Sequence, residues 1–177
     1  MERFLSNKVC IITGAAQGIG KSIVERFAAD GAIVYACDRT EGSMDEWVKD
    51  CMVRNGVRVF PLYFDVMDAA AVKFAFMSIF KQEGRIDVLV NNAGLVIGVD
   101  KEFEGNLDEW DVVIDTNIKA LLAITRLVVP GMVERGRGHI INIGSIAGDA
   151  AYPGGSVYCA TKAAVKALSD GLRIDLV

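Results

Sequence analysis

The sequence is short of several things, and each shortage removes a class of function. It holds a single histidine, His139, at the start of an apolar run after "RGRG". One imidazole, with no acidic cluster at ligand spacing, gives no case for a metal centre. The four cysteines (Cys10, Cys37, Cys51 and Cys159) are irregularly spaced and form no CxxC pair. They read as free, packed thiols in a reducing compartment. Positive charge is not in excess: 19 Lys and Arg stand against 23 Asp and Glu, a net charge of -4. With no basic stripe and no aromatic platform, the sequence offers nothing to a nucleic acid. The longest apolar candidate, "ALLAITRLVVPGMV", is interrupted by Arg126 and Pro130 and is too short to span a membrane. The opening "MERFLSNKVC" is charged and lacks an apolar core of signal-peptide length. The expectation is a cytoplasmic protein that engages neither membrane nor nucleic acid.

What is present is apolar and alternating. Of the 177 residues 52% are hydrophobic, enough for one domain over 1–177 with a sizeable core. Five runs read as strands: 8–13, 32–37, 57–64, 86–91 and 139–144. Most are nearly continuous in hydrophobic residues, as parallel strands buried on both faces must be. Pro61 marks the third as an edge strand, where a missing N–H is tolerated. Helical patterns fall between them at about 18–30, 44–55, 68–83 and 107–134, and from 156 to the end. Gly31 and Gly56 stand where a helix hands over to a strand, and Asp68 and Asn106 are candidate N-caps. Strands alternating with helices predict an α/β, doubly wound parallel sheet. Ligands of such sheets bind at the carboxyl ends of the strands.

Small and polar residues mark each of those ends. After the first strand comes "TGAAQGIG", with Gly14, Gly18 and Gly20 permitting a tight turn and a close phosphate approach. The spacing is GxxxGxG, a wider turn than GxGxxG. After the second strand comes Asp38, 18 residues beyond Gly20, where a carboxylate can accept from the diol of an adenine ribose and repel a 2′-phosphate. Arg39 beside it pulls the other way, and Gln17 offers a phosphate no charge. The balance favours NAD, with NADP possible; Asp38 as a simple turn residue is the plainer alternative. Then follow Asp65 and Val66, the "NNAG" of residues 91–94, and "GSIAG" with Ser145. Thirteen positions after Ser145 is Tyr158, and four further is Lys162. On a helix these two share a face. The pair fits an ordinary surface ring with an ammonium above it. It also fits a phenol made into a usable acid or base by its neighbour.

As a set, "TGAAQGIG", Asp65-Val66, "NNAG", Asn117 in "DTNIKA", Ser145 and "YCATK" resemble the short-chain dehydrogenase/reductase family, in family order and along the whole chain. The resemblance implies a Rossmann-type sheet of order 3-2-1-4-5 and an NAD(P)-dependent oxidoreductase acting on a small-molecule alcohol or ketone. It implies a catalytic set of Asn117, Ser145, Tyr158 and Lys162. Tyr158 would be the general acid/base. An ordinary tyrosine titrates near pH 10, so work near neutrality takes a shift of roughly 3 units, or about 4 kcal/mol. Lys162 would favour the phenolate and hold the nicotinamide ribose. Ser145 would steady the substrate oxygen, and Asn117 would position a water linking Lys162 to solvent. Cofactor contacts would come from Gly14, Gln17, Gly18, Ile19, Gly20, Asp38, Arg39, Asp65, Val66, Asn91, Ala93 and Gly94, with Tyr158 and Lys162.

Members of that family continue past the point matching Val177 with two more strands, a Pro-Gly turn and a substrate lid. The expectation is therefore a fragment lacking the sixth and seventh strands, with 139–144 left as an exposed apolar edge. Branch signals are mixed. "VVPGMVERGRGHIINIGSIAG" resembles the bacterial branch acting on small 3-hydroxy acids. The first half resembles 3-oxoacyl thioester reductases and NAD-linked alcohol dehydrogenases. "LVIG" (95–98) and "DAAYPGG" (149–155) border the expected substrate and carry no basic anchor. The apolar helices at 107–134 and 156–176 resemble the family's dimer and tetramer interface, although a broad core-facing stripe reads the same way. A nucleotide-binding regulator or pseudoenzyme is the competing function. It would need the glycines and Asp38 but not the Asn, Ser, Tyr and Lys set.

Overall fold

The computed structural model describes residues 3–176. Five strands form one sheet in the order β3-β2-β1-β4-β5. They are β1 (Val9–Thr13), β2 (Ile33–Asp38), β3 (Val59–Tyr63), β4 (Val88–Asn91) and β5 (His139–Asn142). Every pairing is parallel. β1 is central, and all five of its residues are buried. β3 lies at one edge, with Pro61 opposite Ala36, as the missing N–H of a proline requires. β5 lies at the other edge with His139 exposed.

The strand period of two divides the core into two layers. Cys10, Ile12, Val34 and Val90 face α1 (Gly18–Ala29) and α2 (Asp45–Asn55), against Val24, Ala28, Val48 and Cys51. Val9, Ile11, Tyr35 and Leu89 face the opposite layer of α3 (Ala69–Glu83) and a later helix, against Phe76, Ile79, Ile124 and Val128. The helix boundaries follow the expected signals. Asp68 accepts from the backbone N–H groups of Ala70 and Ala71 and starts α3. Gly56 ends α2 with a positive φ of 64°, a conformation that only a residue without a Cβ adopts freely.

The helical stretch expected at 107–134 is not one α-helix. It is α4 (Leu107–Ile114), a π-turn (Asp115–Ala120) and α5 (Leu121–Glu134). A π-turn adds one residue to a helical circuit, and no residue type or spacing announces it. Asn106 caps α4 through a bond from Asp108 N, as expected. The last helix, α6 (Ser156–Asp175), packs on a short 3-10 turn (Ile146–Gly148) and on α4. Among the described residues no helix is long and apolar enough to cross a membrane.

Candidate active site

The carboxyl ends of β1, β2, β4 and β5 open on one side of the sheet, and the loops after them interlock. Gly14 follows β1 with φ of 63°, and its α-carbon lies so near the next loop that a Cβ would sit 2.9 Å from Ala93 Cα. A Cβ at Gly20 would collide with the Gly14 carbonyl and lie 2.6 Å from Asn92 Nδ2. At Gly18, by contrast, a Cβ would meet nothing within 4 Å. The loop is therefore closed towards the protein and open towards solvent. Gln17, the N-cap of α1, makes no side-chain cap bond, so the first-turn N–H groups of that helix have no side-chain acceptor there. Ile19 projects outward at 62% exposure.

Two residues that the sequence reading missed hold this arrangement. Thr13 Oγ1 accepts from the backbone N–H groups of Asn92 (3.1 Å) and Ala93 (3.0 Å). Asn92 Nδ2 returns bonds to Thr13 O (2.9 Å) and Gly14 O (2.8 Å). The glycine loop and the "NNAG" loop are thus one hydrogen-bonded unit. Asn91 is buried and donates to Thr125 Oγ1 (3.0 Å) and Asn142 Oδ1 (2.9 Å), tying β4 to α5 and β5.

Asp38 ends β2, with each carboxylate oxygen accepting one backbone N–H. Oδ2 takes Ala16 N at 3.0 Å and Oδ1 takes Thr40 N at 3.2 Å. It fastens the glycine loop to the second strand while each oxygen keeps acceptor capacity. Arg39 is exposed beside it. Asp65 is half-buried after β3 and accepts from Met67 N (2.9 Å), and Val66 packs against the core.

The four expected catalytic residues come from three separate segments. Asn117 lies in the π-turn, 2% exposed. Its Oδ1 accepts from Leu95 N (2.9 Å), and its Nδ2 donates to Leu95 O (2.9 Å) and Thr161 Oγ1 (3.0 Å). Ser145 follows β5 and caps the 3-10 turn, its Oγ accepting from Ala147 N (3.1 Å). Tyr158 and Lys162 stand on α6, with Lys162 Nζ 5.9 Å from the Tyr158 ring centroid. Lys162 is 8% exposed and donates to Ile143 O at 2.8 Å. Its burial pulls the ammonium below the ordinary lysine pKa, because desolvation disfavours the charged form. Gly94 closes the group: a Cβ there would lie 3.1 Å from Asn117 Oδ1 and 3.6 Å from Lys162 Nζ. Gly148 does the same from the other side, where a Cβ would sit 2.8 Å from the Lys162 carbonyl. Cys159, beside Tyr158, is buried. A small cavity next to Tyr158 is lined by Val96, Trp110 and Val113, with Asp100 and Glu109 at its polar side.

The short chain dehydrogenase model matches residues 8–177. The chain belongs to that family. An NADP-dependent 3-hydroxy acid dehydrogenase of Salmonella typhi is 45% identical over 168 residues, which are 95% of this chain and 66% of that protein. The chain thus spans just under two thirds of that relative's length. The closed form of a serine dehydrogenase complexed with NADP+ superposes with a TM-score of 0.86 at 42% identity, over 95% of this chain and 66% of that one. An NAD+-bound xylitol dehydrogenase superposes with a TM-score of 0.92 at 26% identity, over 98% and 66%. The first two relatives carry NADP in their names, and they lend no support to the NAD preference read from Asp38.

Proposed function

We propose that the chain forms the nicotinamide-binding and catalytic part of an oxidoreductase that interconverts a secondary alcohol and a ketone. The observation that carries this reading is the position of Lys162. A buried ammonium is costly unless something uses it, and this one lies one helical turn from Tyr158, beside the loops of β4 and β5. A nucleotide-binding regulator would need the glycine cradle but not this group, which favours an enzyme.

The cradle fits a dinucleotide. Gly14 and Gly20 close it against the protein, Gly18 leaves it open outward, and the first turn of α1 offers N–H groups and the positive dipole end to a pyrophosphate. A nicotinamide cofactor bound there supplies a hydride acceptor or donor for the substrate carbon. The chain's own residues handle the proton at the substrate oxygen. Ser145 Oγ already accepts from Ala147 N, so its proton is free to be donated to that oxygen. Tyr158 takes the alcohol proton during oxidation and returns it during reduction. Lys162 favours the phenolate by its charge. The Asn117 side chain, engaged with Leu95 and Thr161, ties the loop after β4 to the helix that carries Tyr158 and Lys162.

Asp38 sets the cofactor preference in this reading. A carboxylate about 4 Å from a 2′-phosphate charge is opposed by about 1 kcal/mol in water and about 4 kcal/mol at a surface dielectric of about 20. NADH is therefore expected to bind tighter than NADPH, with the order reversing in Asp38→Ala. Small 3-hydroxy acids and their ketones come first in the substrate panel of this reading, which the 45% identity to a 3-hydroxy acid dehydrogenase supports. Self-association through the outer faces of α5 and α6 belongs to the same reading.

The test is ketone reduction by the full chain, followed with both reduced cofactors, and by its Tyr158→Phe variant. The phenylalanine variant is expected to lose about 100-fold or more in kcat while still binding cofactor. Reduction that survives the change removes Tyr158 from the mechanism. Tighter binding of NADPH than NADH removes Asp38 as the discriminator.

A further inference from the structure

Thr161 stands between Tyr158 and Lys162 on α6, is 1% exposed and has a hydroxyl that both accepts and donates a hydrogen bond. The direction of each bond follows from chemistry alone. Leu95 N–H can only donate, so the Asn117 atom facing it at 2.9 Å must be Oδ1. That fixes the amide and leaves Nδ2, which has no acceptor capacity, to meet Leu95 O at 2.9 Å and Thr161 Oγ1 at 3.0 Å. Thr161 Oγ1 must then accept, and its single proton goes to Tyr158 O, at 2.7 Å. A polarised chain therefore runs from the loop after β4, through the π-turn, to the backbone carbonyl of Tyr158.

We propose that Thr161 is a positioning residue, whose hydroxyl joins the Leu95–Asn117 clamp to the turn of α6 that carries Tyr158 and Lys162. This rests on the oxidoreductase reading for its consequence but not for its geometry. Back-bonding from a threonine to the carbonyl three residues earlier competes with the helical bond to that carbonyl and bends the helix locally. Here the carbonyl that receives the bond is that of Tyr158. The same hydroxyl oxygen accepts from Asn117 Nδ2 and so bonds α6 to the π-turn. Its removal leaves a buried N–H of Asn117 without its acceptor and frees the Tyr158 turn to move relative to Leu95. Leu95 adjoins Gly94, where a Cβ would lie 3.6 Å from Lys162 Nζ, so the joint ends beside the ammonium.

The test compares Thr161→Val and Thr161→Ser with the parent in the full chain. Valine keeps the shape and removes the hydroxyl; serine keeps the hydroxyl and removes a methyl. Two readouts are taken. Amide exchange at Leu95 needs no turnover, and the pH dependence of alcohol oxidation reports the catalytic base. In the valine variant Leu95 is expected to exchange about tenfold faster. kcat should fall about tenfold with cofactor KM nearly unchanged, and the rising limb of the pH profile should move up. Serine should restore all of these. Unchanged Leu95 exchange in the valine variant overturns the proposal whether or not the protein turns over. So does a valine variant with the parent's kcat and pH profile, or a serine variant as impaired as valine. If the parent itself oxidises no alcohol, the oxidoreductase reading fails, and Leu95 exchange still decides the joint. Should valine prevent folding, Thr161→Ala carries the same comparison.

Discussion

Replacing a helical glycine by alanine ordinarily stabilises a protein, by about 1 kcal/mol, because the alanine loses less freedom on folding. Gly20→Ala is expected to do the opposite. The new Cβ would collide with the Gly14 carbonyl oxygen, 2.9 Å from Gly14 C and 2.6 Å from Asn92 Nδ2. Ordinary contacts between such atoms are about 3.5 Å or longer, so both neighbours must retreat by more than half an ångström. Gly14 is backbone at positive φ, and Asn92 Nδ2 is held by Thr13 O and Gly14 O. Overpacking of this kind costs about 1–3 kcal/mol, and each Asn92 bond lost adds about 1 kcal/mol. Set against the helical gain, the net loss is roughly 2 kcal/mol. Gly171 in α6 supplies the control, since a Cβ there meets nothing within 4 Å. Gly171→Ala should raise stability by about 0.5–1 kcal/mol. Urea unfolding of both variants, with an NADH titration of each by nicotinamide fluorescence, makes the comparison. Gly20→Ala should lose about tenfold or more in NADH affinity as the loop reopens. A Gly20→Ala protein that is as stable as the parent and binds NADH as well would refute the closed cradle.

Two further outcomes follow from single groups. Asp68→Ala removes the acceptor of Ala70 N (2.9 Å) and Ala71 N (3.0 Å) and should cost about 1 kcal/mol in urea unfolding; an unchanged midpoint would mean the cap contributes nothing. Burial and the Asp87 carboxylate push the Cys10 thiol up to about 12 from 9.0. Between those values the folded state keeps a proton that the unfolded chain has released. Stability therefore falls as pH rises from 9 towards 12, by up to about 4 kcal/mol in all and about 2 kcal/mol by pH 10.5. Cys10→Ala should show a shallower decline between about pH 8 and about pH 10.5, and parallel declines would contradict the assignment.

The strands and most helix ends were legible because each is announced by local chemistry. β1 to β5 are runs of apolar residues, Pro61 marks the edge, and Asp68 and Gly56 terminate helices by their own hydrogen bonding or φ. The joints were less legible. Thr13, Asn92 and Thr161 act through partners 79, 78 and 44 positions away, respectively, in Asn92, Gly14 and Asn117. All three lie inside the stretches that carry the family resemblance, "TGAAQGIG", "NNAG" and "YCATK", but neither residue type nor spacing names these distant partners. The glycine signal was stronger. Gly14 and Gly20 stand out by type and spacing, although which of them meets which atom depends on the "NNAG" loop crossing above. Asp38 was legible as a position, while its two backbone partners, Ala16 N and Thr40 N, emerge only when β1 and β2 lie side by side.

The π-turn between α4 and α5 can be described as a shift of phase. Each residue of an α-helix advances the side chains by about 100°, so one inserted residue rotates everything beyond it by that angle. Upstream, α4 presents its face to α6; downstream, α5 presents its own to α3 and β4. A single uninterrupted helix would carry one stripe and could serve only one of these surfaces well. The extra residue lets a continuous rod face two directions, with Asn117 at the change of direction. Deleting any one residue of 115–120 would therefore act far beyond the turn. It would return the two faces to register and aim one of them at the wrong neighbour.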